Sequence, residues 1–277
     1  MIQSIAPVRL LSAAVMALLA VALLAPGAQA KEPAPGYSQF AGCPSPEENA
    51  ATELCIRSDV TGGHLQTGSK TVPIENPLTI SGGTNSAFEN FAFNSKGGLS
   101  KVKQKVPGGV IGLTGLTWLL EFFGSDALTL YAETELAGIP TNFAFSTVTL
   151  PIKVHLTTPS GVLGSTCYIG SNSSPIVLNL TTGTTSPPGP NKPITGVEPE
   201  GEFDPELLIL HENNGTYVDN AFAAPGASGC VLKLFGFIPI SLNSFVNSQS
   251  GLPSPAGTNE SVQEFDLELT SRSNVYP

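Results

Sequence analysis

Apolar residues fall on every second position through much of this chain. The clearest run is "TVTLPIKVHLT", Thr147 to Thr157. Val148, Leu150, Ile152, Val154 and Leu156 share one face; Thr147, Thr149, Pro151, Lys153 and His155 share the other. This alternation marks a strand with one buried face. Pro151 has no N–H for a ladder, which predicts an edge strand or a bulge. Phe143 and Phe145 lie in the opposite phase, which predicts a bulge near Ser146. "DALTLYAETEL" turns Leu128, Leu130, Ala132 and Leu136 inward, "SPIVLNLT" groups Ile176, Leu178 and Leu180, and "EFDLELT" groups Phe265, Leu267 and Leu269. Shorter signals ("CIRSDV", "GHLQTG", "KTVPI", "PLTISGG") follow from Cys55, punctuated by Gly, Pro and Asn. "ELLILHENNGTYVDNAF" reads as a hairpin turning on Asn214-Gly215, a type I′ signal. The pattern predicts an all-β, mainly antiparallel fold, a β-sandwich.

Two stretches depart from it. "VPGGVIGLTGLTWLLEFFG", residues 106–124, carries one ionisable side chain, Glu121. On a helix from Val110, Leu113, Leu116, Leu119, Leu120 and Phe123 share one face, opposite Thr114, Thr117, Trp118 and Glu121. Fourteen helical residues reach about 21 Å, short of a bilayer core of about 30 Å. Gly109, Gly112 and Gly115 weaken the helix by about 1 kcal/mol each. The segment predicts a short amphipathic helix capping an open end of the sandwich. Its sharper reading is a binding element in which Trp118, Phe122 and Phe123 meet a lipid, a glycan or a cell-envelope protein. "FIPISLNSFVNSQSGLP" predicts the second amphipathic helix. Pro239 would sit in its first turn, Ile238, Leu242, Phe245 and Val246 would form its stripe, and Gly251 and Pro253 would stop it.

The N-terminus changes the setting. Arg9, the uncharged run Leu10 to Leu24 and "AQA" at Ala28 to Ala30 predict a signal peptide over 1–30. Its apolar run makes about 22 Å of helix, too short for a spanning anchor. A Pro/Gly-rich leader follows over 31–42, then one secreted domain over 43–277 with a long loop near 181–205. No transmembrane helix is expected in the mature chain. Four cysteines in an exported chain allow three pairings. Cys43 with Cys55 and Cys167 with Cys230 is the favoured one, contributing about 3 and about 4 kcal/mol in the chain-entropy model. No C-x-x-C pair occurs, so no metal site is expected. The formal net charge is −10, which repels nucleic acid and anionic lipid. Lys96, Lys101, Lys103 and Lys105 cluster without interleaved aromatics and read as a solvated loop.

Chemistry is sparse. Neither a G-x-S-x-G elbow nor an H-E-x-x-H, Walker, Rossmann or EF-hand motif occurs, and no cofactor is expected. His64, His155 and His211 sit in strand-like runs, and a Ser-His-Asp triad would have to assemble in space. Glu133 and Glu135 share a face, as do Glu264, Asp266 and Glu268. Such neighbours lie about 7 Å apart, near the spacing of an inverting glycosidase pair, though a polar outer face explains them more simply. Glu198, Glu200, Glu202, Asp204 and Glu206 alternate near 198–206, where they could collect calcium.

With "FAGCPSPEENAATELCIRSDVTGGHLQTGSKTVPIENPLTISGG", "STCYIGSNSSPIVLNLTTGTT" and "VDNAFAAPGASGC", the chain resembles a group of secreted actinobacterial proteins of unknown function. The resemblance implies export and a four-cysteine frame.

The expectation is an exported, extracellular or envelope-associated, non-catalytic binding protein. A lipid or glycolipid carrier would need an apolar cavity lined by the two helices. A secreted hydrolase would need a carboxylate pair or a Ser-His pair in a cleft. An oligomeric β-pore would use the strand at Thr147.

Overall fold

The structure, a computed structural model, describes residues 31–117, 124, 126–144, 146–234 and 236–277. The expected signal peptide and Trp118, Phe122 and Phe123 lie outside the described residues. Residues 32–277 form one compact unit.

The strands in order are β1 (Leu54–Thr67), β2 (Lys70–Pro73), β3 (Leu78–Thr84), β4 (Gly98–Leu99), β5 (Lys103–Lys105), β6 (Tyr131–Leu136), β7 (Thr141–Ala144) and β8 (Thr147–Thr157). Then come β9 (Tyr168–Ile169), β10 (Ile176–Thr181), β11 (Glu200–Asp204), β12 (Ile209–Asp219), β13 (Ala227–Ser228), β14 (Val231–Leu234), β15 (Ile238–Ser241) and β16 (Glu260–Ser271). Among the described residues three α-helices join them: α1 (Gly109–Thr114), α2 (Asn243–Ser250) and α3 (Arg272–Val275). All strands but β14 and β15 belong to one antiparallel sheet. Its path runs β4-β3-β1-β16-β12-β10-β8, then through β6 to β5. The sheet curls on itself, so both walls of the apolar core come from one continuous surface. The favoured disulfides are both formed, Cys43–Cys55 and Cys167–Cys230.

The curl brings β5 beside β2 and the β2–β3 connection. The backbones do not pair there; a side chain takes the place of the ladder. Gln104 Oε1 accepts the N–H groups of Glu75 and Asn76, both at 3.0 Å, and its Nε2 donates to the Asn76 carbonyl at 2.6 Å. Asn76 Nδ2 returns a bond to the Lys103 carbonyl at 3.0 Å. Gln104 is only 4% exposed. On the far side, β10 and β12 pair only at Thr181 and Val218. Beyond that point Asp219, 2% exposed, holds the strands together by accepting the Asn179 N–H at 2.7 Å, and it also accepts the N–H of Ala221, two residues on, at 2.8 Å. Burial pushes its carboxyl above the usual range, and the two donors offset that only in part.

The alternation at Thr147–Thr157 is a strand over those residues, buried at every second position. Pro151 is neither on an edge nor at a bulge: β8 has partners on both sides. The Pro151 carbonyl accepts the Ala137 N–H, so its nitrogen faces the same side. There the partner strand changes from β6 to β7, and no ladder donor is required. Near the expected bulge at Ser146, β7 does shift its register on β8 between Thr141 and Ala144; Phe145 lies outside the described residues. Asn214-Gly215 is a bulge inside β12 where a hairpin turn was expected. Asn214 does adopt the left-handed conformation (φ 58°), but its N–H donates to Asp266 Oδ1, which keeps the strand on β16. Residues 238–241 form a strand, and the second helix starts only at Asn243. The first helix stops at Thr114 because Gly115 turns left-handed (φ 70°). Thr114, expected on its polar face, is buried and donates to the Val110 carbonyl at 2.9 Å.

Two predictions follow from these junctions. Gln104→Ala removes a buried amide and the three bonds it makes to the exposed Glu75-Asn76 backbone, and should cost about 1–2 kcal/mol in urea unfolding; a loss near zero would mean the seam closes without it. Asp219 should take up its proton at higher pH in the folded chain than in the unfolded one, where Asp titrates at about 3.9. Its ionised form then costs stability at neutral pH, and that cost is relieved as pH falls through the folded value. Wild type should therefore gain stability relative to Asp219→Asn between neutral pH and about pH 4. An unchanged difference in unfolding free energy would contradict this.

Candidate interior binding site

The inward residues of the sheet do not quite fill the space they enclose. A cavity of about 90 Å³ lies among them. Val60 and Ile80 line one wall, Leu150, Val154 and Leu178 the other, and Leu267 of β16 lies between. These positions are inward because each strand exposes alternate residues to one face. Val106 and Leu113, in the "VPGGVIGLTG" stretch, also line the cavity. α1 and α2 pack against each other; only α1 contributes to the lining. A second hollow of about 280 Å³ lies beside α1, between Pro73, Lys105, Pro107, Ile111 and Leu130, and Val106 borders both.

Polar groups in the cavity wall are few: Ser58, Thr67, Gln104, Thr134, Tyr217 and Gln263. Tyr217 stacks on Phe265 with ring centroids 4.0 Å apart. Burial, reinforced by Glu198 and Glu212, drives its phenol far above the usual range, so it stays neutral. Gln263 donates to Ser261 Oγ at 3.1 Å. The wall is thus hydrocarbon with a few neutral donors and acceptors, suited to an uncharged, apolar guest.

The histidines lie elsewhere, each facing a glutamate. His64 Nε2 is 3.0 Å from Glu260, His211 Nδ1 is 3.4 Å from Glu268, and His155 Nδ1 is 3.9 Å from Glu135. Among the described residues no Ser or Thr hydroxyl bonds to a histidine, so no triad is assembled there. Glu135 also accepts the Tyr168 hydroxyl at 3.3 Å and sits 3.4 Å from Lys153 Nζ, while Tyr168 stacks on His155. This cluster lies on the outer face of β6, β8 and β9. Glu133 points out of the same strand, opposite His155, and Glu264, Asp266 and Glu268 occupy the outer face of β16. The residues near 198–206 are not one loop: Glu200–Asp204 form β11, with Glu202 opposite His211. Among the described residues no group of three or more His, Cys, Asp or Glu could hold a metal ion. No described helix is long and apolar enough to cross a membrane.

Sequence reasoning missed Gln104, Tyr217 and Gln263. Gln104 left one trace: in "VKQKV" it alternates with lysines and so shares a face with the apolar neighbours. No family model matches the chain, and neither does any curated protein or solved structure.

Proposed function

We propose that the protein is exported and acts without catalysis, as a binding protein that takes a small apolar molecule, or the end of a hydrocarbon chain, into the curled sheet. The observation that carries this reading is the apolar cavity with its few neutral polar groups. Size narrows the ligand. A 150 Å³ apolar cavity is known to take benzene, and the present one is about 90 Å³. A whole lipid or glycolipid does not fit without widening the seam at Gln104, whereas a chain end does. The face pattern supports a water-surrounded binding protein over a β-pore: apolar residues point inward and charged ones outward, the reverse of a lipid-facing barrel. The two disulfides suit an oxidising, extracellular compartment, in keeping with the expected leader.

The test is equilibrium binding of alkanols and fatty acids of rising chain length to the oxidised mature protein. One saturable site is expected, with affinity rising with chain length and then levelling off once the chain end fills the cavity. Ala132→Phe, which fills the wall beside Leu156 and Thr134, should weaken binding about tenfold or more while the variant still unfolds cooperatively. Equal binding by wild type and a folded Ala132→Phe, or no saturable binding by wild type, would sink the proposal.

A further inference from the structure

β14 and β15 stand apart from the main sheet as their own two-stranded ribbon, paired from Val231 with Ser241 to Leu234 with Ile238. Its base is firmly held. Cys230, just before β14, is bonded to Cys167, just before β9. The Val231 N–H donates to the Leu163 carbonyl at 3.0 Å and the Leu242 N–H to the Cys230 carbonyl at 2.8 Å. Leu232 and Leu242 are buried in the core. The other end is bare. Gly236 makes the turn in a left-handed conformation (φ 82°), and Phe237 beside it is 75% exposed. Ile238 is 43% exposed, and Phe245, on α2, is 40% exposed. Single exposed apolar residues are ordinary; two adjacent ones at the tip of a stapled hairpin, with a third on the helix that follows within nine residues, are not.

Charge separates this region from the rest. Residues 220–259 contain no Asp or Glu and a single base, Lys233, in a chain that carries 22 acids and 12 bases. At physiological salt, charges act over about 8 Å, so the face that approaches a surface matters more than the net −10. The acidic repulsion expected of the whole chain does not apply at this tip. We propose that the β14–β15 hairpin docks into the surface of a lipid bilayer, seating Phe237 and Ile238 among the headgroups and upper acyl chains. A protein partner would be met by hydrogen-bonding side chains around an apolar centre. This tip offers aromatic and branched hydrocarbon, a self-paired backbone, and a lysine whose stem can lie along the interface while its charge stays in water. The inference does not depend on the interior site being occupied.

The test is sedimentation of the oxidised mature protein with protein-free vesicles of phosphatidylcholine, alone and mixed with phosphatidylglycerol. Wild type should sediment with both. Phe237→Ser combined with Ile238→Ser should lower the partition coefficient about tenfold or more. Phe203→Ser combined with Leu208→Ser removes apolar side chains that are 56% and 48% exposed on the far side of β12, and it should leave partitioning unchanged. Circular dichroism and intact disulfides check that both variants are folded. The proposal is overturned if wild type stays in solution with these protein-free vesicles, or if the two double variants lose binding equally.

Discussion

A sheet with one apolar face can hide that face by curling, but the curl needs its two edges to meet. Here they meet through a glutamine. Backbone pairing would require β5 and the β2–β3 connection to run in register, and a tight connection such as Glu75-Asn76 cannot offer an extended edge. An amide side chain has the same donor and acceptor as a peptide group. Gln104 can therefore supply the missing rungs while its own backbone stays paired to β6 at Ala132. Once that junction is made, the inner residues of β1, β16, β10 and β8 face each other across a single core. Asp219 solves the same problem on the other side with an anion, which accepts strongly but is costly to bury. The two junctions differ accordingly: the first is neutral and insensitive to pH, the second is not.

How much of this could be read in advance depended on whether the signal was local. Val148 to Leu156 alternate because each side chain independently meets core or water, and such a pattern survives any arrangement of neighbouring strands. The two disulfides were also within reach, because four cysteines allow few pairings and the short Cys43–Cys55 loop is easily closed. Asn214-Gly215 shows where local reasoning stops. A left-handed Asn followed by Gly is the chemistry of a hairpin turn, yet Asp266 on the neighbouring strand catches the Asn214 N–H and turns the same conformation into a bulge. Pro151 failed for a related reason: whether a missing N–H matters depends on what stands opposite, and there the partner is changing strands. "FIPIS" kept its apolar character, but cross-strand pairing with "VLKL" outweighed a weak helical start at Pro239.

The interior site was less legible still. An apolar cavity is a small mismatch between the volume enclosed and the volume of the side chains that fill it, and no short motif records it. Tyr217 and Gln263 look like ordinary strand residues; only their placement opposite each other on the inner face, beside Phe265, makes them part of a wall. The stretch at 106–124 stands out for its hydrophobicity, and its described part, 106–117, shows a reason. Val106 and Leu113 face the cavity, and Gly115 ends the helix before it can lengthen.

Charge and covalent structure together divide the surface into regions with different roles. The outer faces carry pairs of opposite sign, such as Lys153 with Glu135 across β8 and β6 and Arg57 beside Asp59 along β1. Exposed pairs of this kind contribute little stability, from near zero to about 1 kcal/mol each. Their stronger effect is to keep the sheet faces wetted and the edges unattractive to other chains. The region from 220 to 259 has almost none of that charge, and it is also where Cys230 fastens the chain to β9 through Cys167. A bare apolar tip on a loose loop would fold back onto the body and hide. Fixed at its base, with Leu232 and Leu242 already buried on the inner side, the ribbon cannot turn Phe237 inward without breaking its own register or the bridge. The disulfide therefore does more than limit the unfolded chain: bonded at Cys167, two residues from Ile169 in the cavity wall, it anchors the base of a ribbon whose tip stays in water.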